Sequence, residues 1–176
     1  MAQQQSLVYK KEAGPFAVDT VKFDWTDVQR GRSVPVKIYF PKTDTGTFPL
    51  IIFSHGLGGT REGYEYVGRH WASHGYVSVH LQHPGSDDSA WRGRADPMQG
   101  MREAISLQNV LDRDQDVKFA LDQLDALNRS DPRLKGKLDL KSIGMSGHSF
   151  GSQTTLMLAG QKIGGGMSRI ADAFLG

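Results

Sequence analysis

The period of the hydrophobic positions changes along this chain, and the changes outline its elements. Residues 18–25 and 33–40 alternate partly with period two, the second run ends at Pro41, and turn residues fill 26–32 between them. This predicts a β-hairpin or two neighbouring edge strands, followed by a loop to Pro49. Leu50, Ile51, Ile52 and Phe53 are apolar without a break and stop at Ser54-His55-Gly56, the pattern of a strand buried on both faces of a parallel sheet. A glycine-rich loop follows. Residues 61–74 then set Tyr64, Val67, Trp71 and Ala72 on one helical side, and Gly75 stops that helix.

Residues 76–81 predict the next strand, 82–89 a turn-rich stretch, and 90–100 a loop holding Trp91, Pro97 and Met98. The longest periodic segment is 101–127, where Leu107, Val110, Leu111, Val117, Leu121, Leu124 and Leu127 recur at steps of three and four, as one bent helix or two. A polar connection at 128–139 leads to a short strand at 140–145 and a helix at 149–161. Strands alternating with helices from residue 50 onward imply right-handed crossovers. The fold class is α/β, with a mostly parallel sheet and crossover helices. One domain is expected: edge strands at 17–49, a β-α-β-α-β-α core at 50–161, and a glycine-rich tail at 162–176 containing Gly164-Gly165-Gly166.

Composition narrows the function classes. Hydrophobic residues make up 38% and charged residues 23%, ordinary for a globular chain. No run of about 18 apolar residues spans a membrane. Residues 1–7 are polar and lack the basic head and apolar stretch of a secretory signal. As written the chain reads as cytoplasmic, and as secreted only if a leader has been removed. A net charge of +2, with both signs interleaved, gives no footprint for nucleic acid. With Cys 0, disulfides, cysteine-ligated metals and a thiol nucleophile are all excluded.

Two glycine-bearing segments carry the candidate chemistry. Gly147-His148-Ser149-Phe150-Gly151 has Gly-x-Ser-x-Gly spacing between a predicted strand and a predicted helix. In such a turn the serine backbone is strained, its neighbours two positions away must be small, and Oγ stands alone at the tip. Ser149 is therefore the candidate nucleophile. The competing structural reading is a serine capping a helix. The second segment, Ser54-His55-Gly56-Leu57-Gly58-Gly59, also ends a buried strand. Acyl transfer builds negative charge on a carbonyl oxygen, and two converging N–H groups stabilise it. The expected donors are the backbones of Phe150 and Leu57, with Gly58 the neighbouring candidate for the second. His55 and Gly56 are expected to support the loop, and His148 to have a structural or hydrogen-bonding role. The competing reading of this second segment, a phosphate-binding turn, lacks the nucleotide-binding spacings.

Other clusters read more plainly. His80, His83, Asp87 and Asp88 match no metal spacing and suggest a loop bordering a cleft, so no metal is expected. Asp112, Asp114 and Asp116, with Arg113 between, read as a solvated helix surface. Trp25, Trp71 and Phe119 read as core, and Trp91 as a cleft-lining or lid residue.

Three blocks together carry a resemblance: residues 53–59, residues 75–77 with His83-Pro84-Gly85-Ser86-Asp87, and residues 143–151. Over roughly 17–166 the chain resembles the amino-terminal half of the α/β-hydrolase fold. Within it the likeness is to dienelactone-hydrolase-like and platelet-activating-factor-acetylhydrolase-like esterases, and more distantly to cutinase-like polyester hydrolases. The resemblance implies a carboxylic-ester hydrolase acting through an acyl-enzyme without a cofactor, on a small-molecule ester. Ser149 matches the nucleophile, and Phe150 and Leu57 the oxyanion donors. In such enzymes an acid and then a histidine follow the serine. After Ser149 this sequence has no histidine and a single acid, Asp172, so neither triad partner is in the chain. The expectation is a partial domain, nearly inactive alone, or one completed by a second polypeptide. The alternative is a non-catalytic binding protein on the same fold. Esterase, lipase and amidase activity stay open.

Overall fold

Alternation within the strands sorts side chains onto two faces, and each face receives its own helix. The computed structural model describes residues 11–161. The polar start at 1–7, the tail at 162–176 and Asp172 lie outside them. The elements are β1 (Val18–Asp27), β2 (Arg32–Pro41), β3 (Phe48–Ser54), α1 (Glu65–Ser73), β4 (Val77–Leu81), α2 (Pro97–Ala104), α3 (Leu107–Ser130), β5 (Leu138–Gly147) and α4 (Phe150–Leu158), with a 3-10 turn at Asp88–Ala90. They build one five-stranded sheet in the order β1-β2-β4-β3-β5. Strand β3 pairs parallel with β4 and β5, whereas β2 pairs antiparallel with both β1 and β4. Four strands thus run one way and β2 against them. The first hairpin forms as expected, but only β1 is an edge, because β2 sits between β1 and β4.

Val34, Val36 and Ile38 of β2, Leu50 and Ile52 of β3, and Val77, Val79 and Leu81 of β4 join Val117, Ala120 and Leu124 of α3 in one buried cluster. Each such aliphatic side chain contributes about 1.5–3 kcal/mol when fully buried. The intervening residues face α1. There Tyr39 packs against Gly68, where a Cβ would stand 2.6 Å from the Tyr39 ring, and Phe53 lies 4.8 Å from His80 and 6.2 Å from Trp71. Helix α4 packs on β5 and α3.

Several boundaries differ from the pattern-based reading for local reasons. Helix α1 starts at Glu65, because residues 61–64 form turns and Tyr64 is left-handed at φ 60°. The expected loop at 90–100 turns helical at Pro97, where Asp96 accepts the Gln99 N–H and proline occupies the first turn. The long periodic segment divides at Ile105, and Ser106 caps the second piece by accepting the Asn109 N–H. Leu107 and Leu111, expected on the core stripe, are exposed, and the buried stripe of α3 is Val110, Arg113, Asp116, Val117, Ala120 and Leu124.

Candidate active site

Parallel pairing of β3 with β5 brings their carboxyl ends together, with Ser54 in register with Gly147. The two glycine-bearing segments of the sequence therefore meet. Ser149 has φ 52° and ψ −116°, a backbone conformation that costs an L-residue about 1–3 kcal/mol. The flanking glycines are required by contact. A Cβ at Gly147 would strike the Gly151 carbonyl, and one at Gly151 would strike the Ser54 carbonyl. The turn is closed by Gly151 N–H to His148 O at 2.8 Å, Ser152 N–H to Ser149 O at 2.9 Å, and Ser152 Oγ–H to Gly147 O at 3.0 Å. Ser149 is partly exposed, and its Oγ makes no hydrogen bond among the described residues.

The loop after β3 lies directly against this turn. A Cβ on Gly56 would stand 2.9 Å from His148 Nδ1 and 3.4 Å from the Ser149 Cβ, so bare backbone is what fits there. Gly58, left-handed at φ 74°, gives its N–H to Ser86 O at 2.9 Å, and the Gly59 N–H goes to Gly56 O at 3.1 Å. Trp91 Nε1–H donates to Gly58 O at 2.8 Å from the solvent side. Of the two candidates in this loop, the Gly58 N–H is thus spent. Among the described residues, the Leu57 and Phe150 N–H groups meet no protein acceptor. The Phe150 N–H also opens α4, where the helix dipole favours negative charge.

Behind the loop lies a buried polar line that sequence reading missed. Ser54 Oγ is 2.7 Å from His83 Nε2, and His83 Nδ1 is 2.9 Å from Asp116 Oδ2. All three residues are fully buried. Burial pushes His83 down to about 4, with the Arg113 charge adding to it. Burial works to raise Asp116, but hydrogen bonds from His83 and Arg32 outweigh it and bring the carboxyl down to about 2. His83 is therefore a neutral imidazole with Nδ1–H on the carboxylate, and its Nε2 accepts the Ser54 hydroxyl. It is a buried strut, not the border of a cleft. Asp116 also accepts from Arg30 Nη2 at 2.8 Å and from Arg32 Nε at 2.8 Å and Nη2 at 3.0 Å. The expected solvated acidic surface of α3 is thus overturned at Asp116, because two arginines of the first hairpin reach it.

His55 belongs to the same layer. Its Nε2 accepts the His83 N–H at 3.0 Å and its Nδ1 lies 2.6 Å from Gly56 O, so the neutral ring carries its proton on Nδ1. Burial, and then the Arg113 charge, hold it well below the ordinary histidine range. Both nitrogens are committed, so His55 braces the loop. His148 is exposed, with its ring 5.3 Å from Tyr64. His80 spends its nitrogens on Gly63 O and Ser78 Oγ at 3.2 and 3.1 Å.

Arg113, fully buried in α3, is the other residue missed. Nη1 donates to His55 O at 2.7 Å, Nε to Ser86 Oγ at 2.9 Å, and Cζ stands 4.3 Å from the centroid of the Phe150 ring. A signal for it existed. Arg113 falls three residues after Val110 and four before Val117, in the apolar stripe itself. The open recess beside the first hairpin, lined by Thr26, Arg30, Phe119 and Asp122 among others, shares no residue with the Ser149 turn or the loop after β3.

A sheet in this order, helices on both faces and a strained serine turn after β5 define an α/β-hydrolase fold. Residues 31–131 match the family model described as platelet-activating factor acetylhydrolase, isoform II, and the chain belongs to that family. It is 32% identical to platelet-activating factor acetylhydrolase of Cavia porcellus, over 70% of this chain and 34% of that protein. Against the Canis lupus familiaris protein of the same name it is 28% identical, over 62% of this chain and 31% of the relative. Cutinase 1 of Thermobifida cellulosilytica is 24% identical, over 71% and 39% of the respective lengths. The chain thus spans about a third of the curated relatives it matches. The family match runs from β2 through α3 and ends before the Ser149 turn, so that turn is an independent observation.

Proposed function

We propose that this chain supplies the nucleophile and the oxyanion hole of a serine hydrolase acting on carboxylic esters. The observation that carries the reading is that Ser149, on its strained turn, lies against the loop after β3 at Gly56, and that in these two abutting segments the Leu57 and Phe150 N–H groups meet no protein acceptor among the described residues. Ser149 Oγ attacks the ester carbonyl carbon, and the charge that develops on the carbonyl oxygen is met by those N–H groups, worth several kcal/mol in a dry site. Collapse of the adduct expels the alcohol and leaves an acyl-serine, which water then hydrolyses. The Ser149 proton must pass to a base and from it to the departing alcohol oxygen, and neither His55 nor His83 can be that base, since their nitrogens are already bonded. The names of the relatives, an acetylhydrolase and a cutinase, support ester hydrolysis as the reaction class.

The test is ester hydrolysis by the protein at its full natural length. Ser149→Ala is expected to lower kcat on a short-chain nitrophenyl ester by about 10⁵–10⁶-fold while leaving the unfolding midpoint unchanged. Retention of the wild-type rate in that variant sinks the reading.

A further inference from the structure

Three loops follow the carboxyl ends of the three parallel strands, and one guanidinium touches all of them. From α3, Arg113 Nη1 donates to the His55 carbonyl in the loop after β3 at 2.7 Å. Nε donates to Ser86 Oγ in the loop after β4 at 2.9 Å, with Nη2 3.5 Å from the Ser86 carbonyl. The guanidinium stacks on the Phe150 ring, 4.3 Å from its centroid, at the turn after β5. Nη1 also lies 3.4 Å from Ser54 Oγ, which ties the group to the Ser54–His83–Asp116 line. No other charge reaches these three loops together among the described residues.

We propose that Arg113 is the positioning residue of the oxyanion hole, setting the Leu57 and Phe150 N–H groups in one geometry. The inference rests on the ester-hydrolase reading of Ser149. His55 is two residues before Leu57, so a fixed His55 carbonyl fixes the peptide plane that leads into the donor. The Ser86 carbonyl near Nη2 is the one that takes the Gly58 N–H, which removes the competing donor from the hole. The aromatic stack holds the residue that carries the other donor. A planar fork with five donors can meet several directions at once, which an ammonium cannot. A buried cation in contact with both donor segments also adds a favourable field where negative charge develops, without touching substrate. Geometry of this kind is sensitive, since a displacement of about 1 Å in a positioning group costs on the order of 10²-fold in rate.

The experiment uses the full natural length protein and compares wild type, Arg113→Lys and Ser86→Ala. Readouts are kcat and KM on a short-chain ester, inhibition by an alkyl boronic acid, and the thermal unfolding midpoint. For Arg113→Lys, kcat should fall about 10²-fold with KM within a few-fold, and boronate affinity should fall in parallel, because the boronate also places an anion in the hole. Ser86→Ala removes one acceptor of the fork and should show the same split at about 10-fold, which keeps the test decisive if Arg113→Lys does not fold. The positioning role is overturned if a folded Arg113→Lys keeps its kcat. It is equally overturned if activity in both variants falls only as the folded fraction falls, with boronate affinity per folded molecule unchanged. A wild type that neither hydrolyses esters nor binds the boronate defeats the ester-hydrolase reading itself. An active wild type with indifferent variants defeats only the role of Arg113.

Discussion

Ser54 ends β3 and Ser149 sits just past the end of its parallel neighbour β5, and they are chemical opposites. Ser54 has a histidine and an aspartate in a hydrogen-bonded line, Ser54–His83–Asp116, at 2.7 and 2.9 Å. It has no access, since all three residues are fully buried and Arg113 lies beside the hydroxyl. Ser149 has access and a strained backbone, the segments that meet at its turn carry two N–H groups without a protein acceptor, and no imidazole lies on its Oγ among the described residues. A Ser-His-Asp line is therefore insufficient to mark a nucleophile. The reacting carbonyl must reach Oγ, and its oxygen must find donors. The buried line does mechanical work instead: it pins β3 to the loop after β4 and to α3, and so holds the floor on which the Ser149 turn sits. The Ser54 carbonyl makes the link, accepting the His148 N–H at 3.3 Å.

The comparison breaks most visibly at Asp116. Asp116→Asn leaves Arg30, Arg32 and the His83 Nδ1–H facing a neutral amide, and should cost about 3–5 kcal/mol in urea unfolding. A loss below about 1 kcal/mol would show that the buried line does not hold the floor.

Acid should act on the same region. His80 and His83 sit at about 4 when folded, against an ordinary value of 6.5, chiefly through burial. The unfolded chain therefore takes up protons first as pH falls. Stability is complete above about 6.5 and is lost toward 4, by up to about 3 kcal/mol for each imidazole. Asp116, depressed to about 2, adds a second loss as pH falls from about 4 toward 2. His83→Gln should flatten the upper part of that profile, and an unchanged slope between pH 6.5 and 4 would contradict the assignment of His83 as buried and neutral.

How legible these two regions were in the sequence differs for a physical reason. The Ser149 turn is local: Gly147 and Gly151 are forced by contacts within a few residues and with β3, and their spacing is visible in the chain. The strands were legible too, because uninterrupted or alternating apolar runs have few other fates. The buried line is non-local. Asp116 meets Arg30 and Arg32 across more than eighty residues, and a run of acids on a helix resembles a solvated face until those partners arrive. Arg113 could have been found, since it interrupts the stripe from Val110 to Val117, where a charge on the buried side of a helix calls for a partner. Leu107 and Leu111 misled in the opposite direction, as apolar residues that stay exposed.

Smaller effects sharpen the contrast between the serines. Ser54→Ala removes the donor to His83 Nε2 and should cost about 1–3 kcal/mol by denaturant titration, with kcat per folded molecule within a few-fold of wild type. Ser149→Gly should do the reverse, relieving the strain at φ 52° and raising stability by about 1 kcal/mol while abolishing hydrolysis. A Ser149→Gly variant less stable than wild type would mean that the turn is not strained.

One measurement separates the two serines most directly: reaction of the full natural length protein with a fluorophosphonate, followed by peptide mapping of the adduct. The expected result is a single adduct on the peptide carrying Ser149, absent in Ser149→Ala and retained in Ser54→Ala. An adduct on Ser54, or labelling that persists when Ser149 is alanine, contradicts the assignment.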